Sequence, residues 1–478
     1  MGDSVSVAAA SDPGRTPCPY CRTLVVSGAR KCRGCKRWLT ARPRLTTYRS
    51  LTLMLAAVIA VGAVLISKRE SPVGEAPPLT PLGTAAPEAV DDIRQGDPLP
   101  GALGPDAENP ARVPEPIEPA SAVQKKWRAR QVQLDVHPLD VVFGPSGDTV
   151  LVSADDATLR EYDLATGKLV HLASLPAQGD RIRLLHDRYV AVLRPPDTAH
   201  IPVMDIHNWD RDPMLLWIGL QPADIVALPD GKTAVAASSS GKRLSWFDLP
   251  TGRRLGDIRV PHVIRQLYVM RSTEGRPYIG ALGTSHRAGR PIGAWIDLFD
   301  PHETPFGATR RSIAVGRDPR QGGLTRDQGT LWFVDYAANV ASVLRIDPTT
   351  HLETITAGHG PVAAFLLGAD RYGVTLDAKA RTATVLDTKK KTAIATLMLE
   401  GEPHDGATSP DGSALFVSLG GTSWPPREQG AAVIAGDPPE VVATLKTGRG
   451  ASRVAVAKSG MRAVVANYVD KALTVIEP

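Results

Sequence analysis

Cysteine is scarce in this chain. Of the 478 residues only four are cysteine, and all four lie before residue 36. The long remainder cannot form an internal disulfide, which excludes a disulfide-stapled architecture for it. Aromatic residues are also few, at 5 % of the chain, so any core must be built mainly from aliphatic side chains.

Several catalytic signatures are missing as well. The sequence contains no H-E-x-x-H metalloprotease motif, no G-x-S-x-G nucleophile elbow, no Walker phosphate loop and no C-x-x-C-H haem attachment site. These absences favour a binding protein over an enzyme. The enzymatic alternative that stays open is a lactonase-like hydrolase with a metal at the mouth of a channel.

Acidic residues are absent from one stretch of the chain, and basic residues are scarce in a second stretch nearby. Residues 15–49 hold ten Lys or Arg and no acid, whereas residues 70–118 are acidic with only Arg94 and Arg112 opposing. Between them, residues 50–67 carry no charge at all. Eighteen helical residues reach about 27 Å, close to the thickness of a hydrocarbon core, so this run predicts one transmembrane helix. A buried helix and a cleaved signal peptide remain alternatives.

The basic side of the predicted span indicates its direction. Because positive residues concentrate before residue 50, the positive-inside rule places the N-terminus in the cytosol and the chain after residue 70 outside. We therefore expect a bacterial-type cytoplasmic (inner) membrane protein with a periplasmic or extracellular C-terminal part.

The four cysteines form two C-x-x-C pairs, Cys18 with Cys21 and Cys32 with Cys35. Four thiolates at this spacing can surround one Zn²⁺ tetrahedrally, and bound metal would supply the folding free energy that so short a segment lacks. The pattern resembles the zinc-ribbon modules at the N-termini of many bacterial membrane proteins. It predicts a structural zinc ribbon over residues 15–40, after a disordered stretch at 1–14. Disulfides and free thiols are the alternatives, and disulfides fit poorly in a reducing cytosol.

Basic residues around the ribbon raise the question of nucleic acid. Trp38 could stack on a base, but the same charges serve as the topology signal and attract anionic lipid. Nucleic acid is therefore not expected as a partner.

A segment rich in Pro, Ala and acids follows the predicted span, over residues 68–125. It has too few large apolar residues to bury a core, and its prolines favour an extended chain. We expect a disordered, fairly stiff linker that holds the C-terminal part away from the membrane.

From residue 127 to the end the sequence repeats. A β-rich run ends in an acidic residue eight times, and the acidic residues are Asp163, Asp205, Asp248, Asp300, Asp347, Asp387, Asp437 and Glu477. Turn signals such as P-S-G-D, P-D-G-K and P-D-G-S precede some of these runs, so each unit reads as four short strands. Four strands per period of about 40 to 50 residues is the pattern of a propeller blade.

The repeat count predicts an all-β, eight-bladed β-propeller over residues 127–478. The chain ends directly after the third strand of the eighth unit, so residues 129–136 are expected to supply the missing fourth strand and close the ring. Residues 401–421 resemble a YVTN-type β-propeller repeat, and residues 137–170 lie between that family and the WD repeats. Characterised YVTN-type propellers often have seven blades and are exported, so seven blades remain an alternative.

Ligand-binding candidates gather on one predicted face. In a four-stranded meander, the connections between blades and those between second and third strands emerge on the same side. The candidates there are His137, His262, His359, His404, Arg287, Arg290 and Trp424. Long loops with such residues favour a partner protein on this face, with a small ligand as an alternative. Histidines that only cap strand ends would give the same pattern.

Together these features predict a membrane-anchored, non-enzymatic binding or scaffold protein. Transmembrane signalling, in which a ligand on the propeller alters what the ribbon recruits, is a further alternative.

Overall fold

A computed structural model describes residues 127–193, 198–287, 290–303, 310–346, 350–421, 423, 425–426, 428–460 and 462–478, together with the backbone of three short strands at 15–17, 24–26 and 116–117. Side chains at 286–291 are outside this description. The chain divides into two compact units, residues 1–92 and 93–478. The first contains one described feature, a hairpin in which Arg15–Pro17 pairs antiparallel with Leu24–Val26.

Among the described residues, the second unit contains six separate four-stranded antiparallel sheets and one nine-stranded sheet. The nine-stranded sheet consists of two four-stranded antiparallel meanders, joined by a parallel pair at Gln321 and Ala363, and a short added strand. The eight four-stranded meanders are numbered here as sheets 1 to 8. Sheet 1 contains Pro138–Phe143, Thr149–Ala154, Thr158–Asp163 and Leu169–Ser174. Sheet 2 contains Arg181–Leu185, Tyr189–Leu193, His200–Asp205 and Met214–Trp217. Sheet 3 contains Pro222–Ala227, Thr233–Ser238, Arg243–Asp248 and Arg253–Arg259. Sheet 4 contains Val263–Arg271, Pro277–Arg287, Arg290–Phe299 and Arg311–Gly316.

The remaining four sheets follow the same plan. Sheet 5 contains Pro319–Leu324, Thr330–Asp335, Val340–Arg345 and His351–Thr356. Sheet 6 contains Pro361–Leu367, Tyr372–Asp377, Thr382–Asp387 and Thr392–Met398. Sheet 7 contains Asp405–Thr408, Ala414–Ser418, Ala431–Ala435 and Glu440–Leu445. Sheet 8 contains Ala451–Val456, Ala463–Asn467 and Ala472–Glu477, and its fourth strand is Arg128–Gln133.

The fourth strand of sheet 8 comes from the opposite end of the sequence from its neighbours. Arg128–Gln133 pairs antiparallel with Ala472–Glu477, and Leu134 N then donates to Lys471 O at 2.7 Å. The predicted pairing of the N-terminal strand with the last unit is therefore confirmed. Val132 brings an apolar side chain into the core between sheets 8 and 1, where only 5 % of it is exposed.

Neighbouring sheets pack face to face around a closed circuit. The first strand of each sheet, called here its inner strand, lies beside the next sheet, and the inner strand of sheet 8 packs against that of sheet 1. Second strands such as Tyr189–Leu193 and Ala463–Asn467 are buried throughout, whereas the outer strand Leu169–Ser174 is largely exposed. This arrangement is all-β and β-propeller-like, and no helix occurs among the described residues.

The acidic repeat marks have a local physical cause. Five of them lie at or just after the end of a third strand and accept hydrogen bonds from the turn that follows, namely Asp163, Asp205, Asp248, Asp300 and Asp387. Asp163 Oδ1 accepts from Thr166 N at 2.7 Å, and Asp387 Oδ1 accepts from Lys389 N and Lys390 N, both at 2.9 Å. The acid therefore satisfies backbone donors in the turn to the outer strand.

The predicted linker and the predicted membrane span precede the eight sheets in the chain. Within the expected linker, Pro116–Ile117 pairs in parallel with Thr396 and Leu397 on the outer strand of sheet 6, because that strand offers a free backbone edge. The expected span at residues 50–67 lies outside the described residues. In the part of the chain that the structure describes, no helix has the length and apolar character needed to cross a bilayer.

Candidate functional site

Three inner strands begin with the same short pattern, Pro-x-Asp, at Asp140, Asp224 and Asp405. Each carboxylate accepts a hydrogen bond from a backbone N–H in the next sheet. The bonds are Ile182 N to Asp140 Oδ2 at 2.8 Å, Leu267 N to Asp224 Oδ2 at 3.0 Å and Val454 N to Asp405 Oδ2 at 3.3 Å. These inter-sheet carboxylates therefore link sheet 1 to 2, sheet 3 to 4 and sheet 7 to 8.

Arginines from the intervening sheets accompany these carboxylates. Arg183 donates from Nε and Nη2 to Asp224 at 3.0 and 3.1 Å, and Arg453 Nη1 lies 3.9 Å from Asp405. Burial pushes the pKa of Asp224 upward, but the charges of Arg183 and Arg181 and the hydrogen bonds from Arg183 and Leu267 together outweigh it, and the pKa is lowered. At Asp140 burial prevails over the more distant Arg453, and the pKa is raised. The inner strands of sheets 7, 8, 1, 2 and 3 thus carry Asp and Arg alternately, and these side chains link neighbouring sheets.

The inter-sheet carboxylates were not among the residues predicted from the sequence. The Pro-x-Asp spacing at the start of three units was the available signal. In sheets 1 and 3 the strand register shifts between the Pro and the Asp of this pattern. The side on which the Asp side chain lies therefore cannot be predicted from the regular alternation of a strand.

The predicted histidines lie at the start of inner strands, on the face that carries the longer connections. We call this the loop-bearing face. His137 Nδ1 donates to Tyr468 O at 2.7 Å, and His404 Nδ1 donates to Gly421 O at 2.5 Å. The carbonyl of the exposed His359 accepts from Ala380 N at 3.2 Å. Each histidine is thus tied to a connection between second and third strands, which places both kinds of connection on one face as predicted.

His262 occupies a more enclosed position in sheet 4. Its ring stacks on Trp295 at 5.1 Å, its Nδ1 shares a hydrogen bond with Ser285 Oγ at 2.7 Å, and its Nε2 lies 3.8 Å from Asp297 Oδ1. Burial lowers the pKa of His262 and raises that of Asp297, so both groups are shifted toward their uncharged forms. Ser312 Oγ also donates to Asp297. These contacts give His262 a structural setting.

The other predicted residues are only partly placed. Arg287 and Arg290 face each other in the backbone ladder at the tip of the sheet 4 hairpin, and their side chains are not described. Trp424 lies outside the described residues, as do Cys18, Cys21, Cys32 and Cys35. Within the described part of the chain, no group of three or more His, Cys, Asp or Glu could hold a metal ion.

A groove missed by the sequence analysis opens on the loop-bearing face between sheets 2 and 3. It has a volume of about 400 Å³, and its lining includes Trp217 from the outer strand of sheet 2 with Lys242, Arg243 and Arg259 from sheet 3. Trp217 is 45 % exposed, which is unusual for so large an apolar side chain. We call this feature the Trp217 groove.

Arginines hold the tryptophan in place. The guanidinium of Arg254 lies 5.2 Å from the Trp217 ring centroid, and that of Arg243 lies 5.7 Å away, both within the range of a cation–π interaction. Asp257 pairs with Arg243 and, at 3.6 Å, with Arg254. Exposed Trp and Arg side chains that already hold a fixed geometry are typical of binding hot spots.

Comparison with known proteins gives distant likenesses. The sequence matches no protein-family model and no curated protein. Among solved structures, the chain is similar to hydrazine synthase from Kuenenia stuttgartiensis, with 17 % identity and a TM-score of 0.48 over 73 % of this chain and 97 % of that one. It is also similar to a functionally unknown protein from Desulfotomaculum acetoxidans DSM 771, with 13 % identity and a TM-score of 0.43 over 62 % of this chain and 90 % of that one.

Proposed function

We propose that this chain is a membrane-anchored binding or scaffold protein whose C-terminal part is an eight-bladed propeller. Support for the blade number comes from the eight four-stranded meanders and from the closing pair between Arg128–Gln133 and Ala472–Glu477. A ring of this kind buries its apolar surface between blades and leaves its faces for partners.

The observation that carries the binding role is the Trp217 groove. It combines an exposed tryptophan with three lining cations, and it opens on the face where the longer connections gather. By contrast, His137, His262 and His404 are engaged in hydrogen bonds. The alternative of a hydrolase with a channel-mouth metal has no supporting ligand group among the described residues.

The transmembrane helix at residues 50–67 and the zinc ribbon at residues 15–40 are part of the same proposal. The uncharged run at residues 50–67 would cross the cytoplasmic membrane, with the N-terminus in the cytosol and the propeller outside. Cys18, Cys21, Cys32 and Cys35 would hold one structural Zn²⁺. The hairpin of Arg15–Pro17 with Leu24–Val26 is compatible with this, because Cys18 and Cys21 fall between its two strands in the sequence.

A photo-cross-linking residue in place of Ser240, at the edge of the groove, tests the binding role in the full chain in intact cells. We expect a discrete adduct that disappears when Trp217→Ala is added. The matched control carries the same cross-linker at Lys168, an exposed position in sheet 1. Equal adducts at both positions, or none at Ser240, would contradict the proposal. Protease added to intact cells should digest the propeller and spare the ribbon, and the reverse result would refute the orientation.

A further inference from the structure

The Trp217 groove lies beside an open strand edge. Met214–Trp217 is the outermost strand of sheet 2, and no strand among the described residues pairs with its free side. Its exposed side chains are apolar, with Leu215 at 51 % and Trp217 at 45 %, and Leu220 just beyond it is 60 % exposed. An outer strand with apolar side chains and free backbone groups is a template for an added strand.

The molecule already contains one example of such an addition. Pro116–Ile117 extends sheet 6 by pairing in parallel with Thr396 and Leu397 on its outer strand. A short extended segment can therefore join the outer edge of a sheet in this fold.

The positive charge around the open strand edge favours an added segment that carries negative charge. Lys242, Arg243, Arg254 and Arg259 surround Trp217, and Asp257 is the one acid paired with any of them among the described residues. Arg243 and Arg259 are direct partners in the strand ladder of sheet 3. Like charges opposite each other in a sheet are destabilising, and a bound anion would relieve that repulsion.

We propose that the Trp217 groove binds an extended, acidic polypeptide segment of a partner protein, added along the edge of Met214–Trp217. In an extended chain, alternate side chains point to opposite sides. Apolar side chains of the segment contact Leu215 and Trp217, while its carboxylates face Arg259 and Lys242. This inference rests on the proposed binding role and names the class of partner.

The test uses purified full-length protein in neutral detergent and a fluorescent ten-residue peptide of alternating Val and Glu. We expect saturable binding that weakens as salt is raised, because exposed charges are screened. Trp217→Ala and Arg259→Glu should each weaken binding at least about tenfold, which corresponds to roughly 1.4 kcal/mol. Lys168→Glu, which makes the same charge change in sheet 1, should leave binding unchanged. The unfolding midpoint of each variant shows whether it folds. If Trp217→Ala does not fold, Arg259→Gln replaces it as the variant that should weaken peptide binding.

Three further probes decide the identity of the occupant. An alternating Val and Lys peptide should not bind, and equal binding of it would overturn the proposal. Stronger binding of single-stranded oligo-dT than of the Val–Glu peptide would assign the groove to nucleic acid and overturn it too. If the peptide binds only after the acids of residues 70–118 are changed to amides, the chain's own linker is the occupant, which also overturns it. If the Val–Glu peptide does not bind but the cross-linker at Ser240 still forms an adduct in cells, the proposed class of partner is refuted. The proposed binding role of the groove is not refuted by that result.

Discussion

Replacing the inter-sheet carboxylates one at a time provides a strict test of how the sheets are held together. Asp140 and Asp224 occupy the same place in the Pro-x-Asp pattern, and each accepts the N–H of its next residue and one N–H of the following sheet. They differ in that Asp224 pairs with Arg183, whereas Asp140 has no ion pair within 4 Å among the described residues. Asp224→Asn and Asp140→Asn therefore separate the ion pair from the hydrogen bonds.

The expected magnitudes follow from this difference. Breaking a buried ion pair by removing one partner costs about 3–5 kcal/mol. Asp224 is fully buried, but the Arg183 side chain is 32 % exposed, so solvent screens part of the interaction. We expect Asp224→Asn to lower the free energy of unfolding by about 2–3 kcal/mol at neutral pH. Asp140→Asn turns one of the two acceptor oxygens into an amide nitrogen, but it also removes a desolvated charge, which offsets part of that loss, so its net cost should be about 1 kcal/mol.

The two substitutions should also respond to pH with opposite sign. The lowered pKa of Asp224 contributes stability above the ordinary value of 3.8, and this is lost as the pH falls through the folded value. The cost of Asp224→Asn should therefore shrink in acid. The raised pKa of Asp140 means that the wild type loses stability as the pH rises above 3.8, so the relative stability of Asp140→Asn should improve with pH.

Urea unfolding followed by tryptophan fluorescence, at several pH values between 3 and 8, measures these free energies in the full chain. Equal costs for the two substitutions at neutral pH would refute the assignment of a net stabilising ion pair to Asp224. Parallel pH profiles would refute the opposite pKa directions.

Three further predictions concern single positions. Asp377 is fully buried and accepts from Thr375 and Thr384, yet burial raises its pKa to about 7. The folded state thus binds this proton more tightly than the unfolded chain, and roughly 4 kcal/mol of stability should be lost between about pH 4 and 7. Asp377→Asn should flatten that slope in urea titrations, and an unchanged slope would contradict it. Gly420→Ala should cost at least about 3 kcal/mol, because the new Cβ would lie 1.6 Å from the Ala451 carbonyl oxygen. Its control, Gly231→Ala, meets no heavy atom within 4 Å and should cost only about 1 kcal/mol for its positive φ of 72°, so equal melting temperatures would refute the steric reasoning. Val132→Asp should open the contact between sheets 8 and 1 and cost about 3 kcal/mol or more, whereas Gln131→Asp on the exposed side of the same strand should be near neutral. Comparable protease sensitivity of the two aspartate variants would show that the closing strand does not hold the ring.

The plan of the repeats could be read from the sequence because its signals are local. An acid such as Asp163 serves the turn a few residues away, and glycines such as Gly147 and Gly231 adopt the positive φ that their turns require. These interactions act over a few residues, so they recur with the period of the fold. The closing strand at residues 128–133 was also predictable, because a ring of four-stranded units that ends after a third strand needs one more.

The candidate site was less accessible. The histidines of the loop-bearing face were identified, but their partners Tyr468 and Gly421 depend on how connections pack above the strands. The ribbon cysteines, the span at residues 50–67 and Trp424 lie outside the described residues, so those expectations stay predictions.

The sequence by itself determined the strand period and the turns, because both depend on alternation and on hydrogen bonds between residues close in the chain. It also indicated the origin of the closing strand, because the eighth unit contains only three strand-like runs and residues 129–136 alternate suitably for a fourth. Only the tertiary structure decided which side chains from different sheets meet. Trp217 joins Arg243, Arg254 and Arg259 because sheet 2 packs beside sheet 3. Asp224 likewise meets Arg183 and Leu267 from the sheets on either side. Contacts between sheets depend on the angle and depth of packing around the ring, and no pattern within a single repeat encodes those quantities.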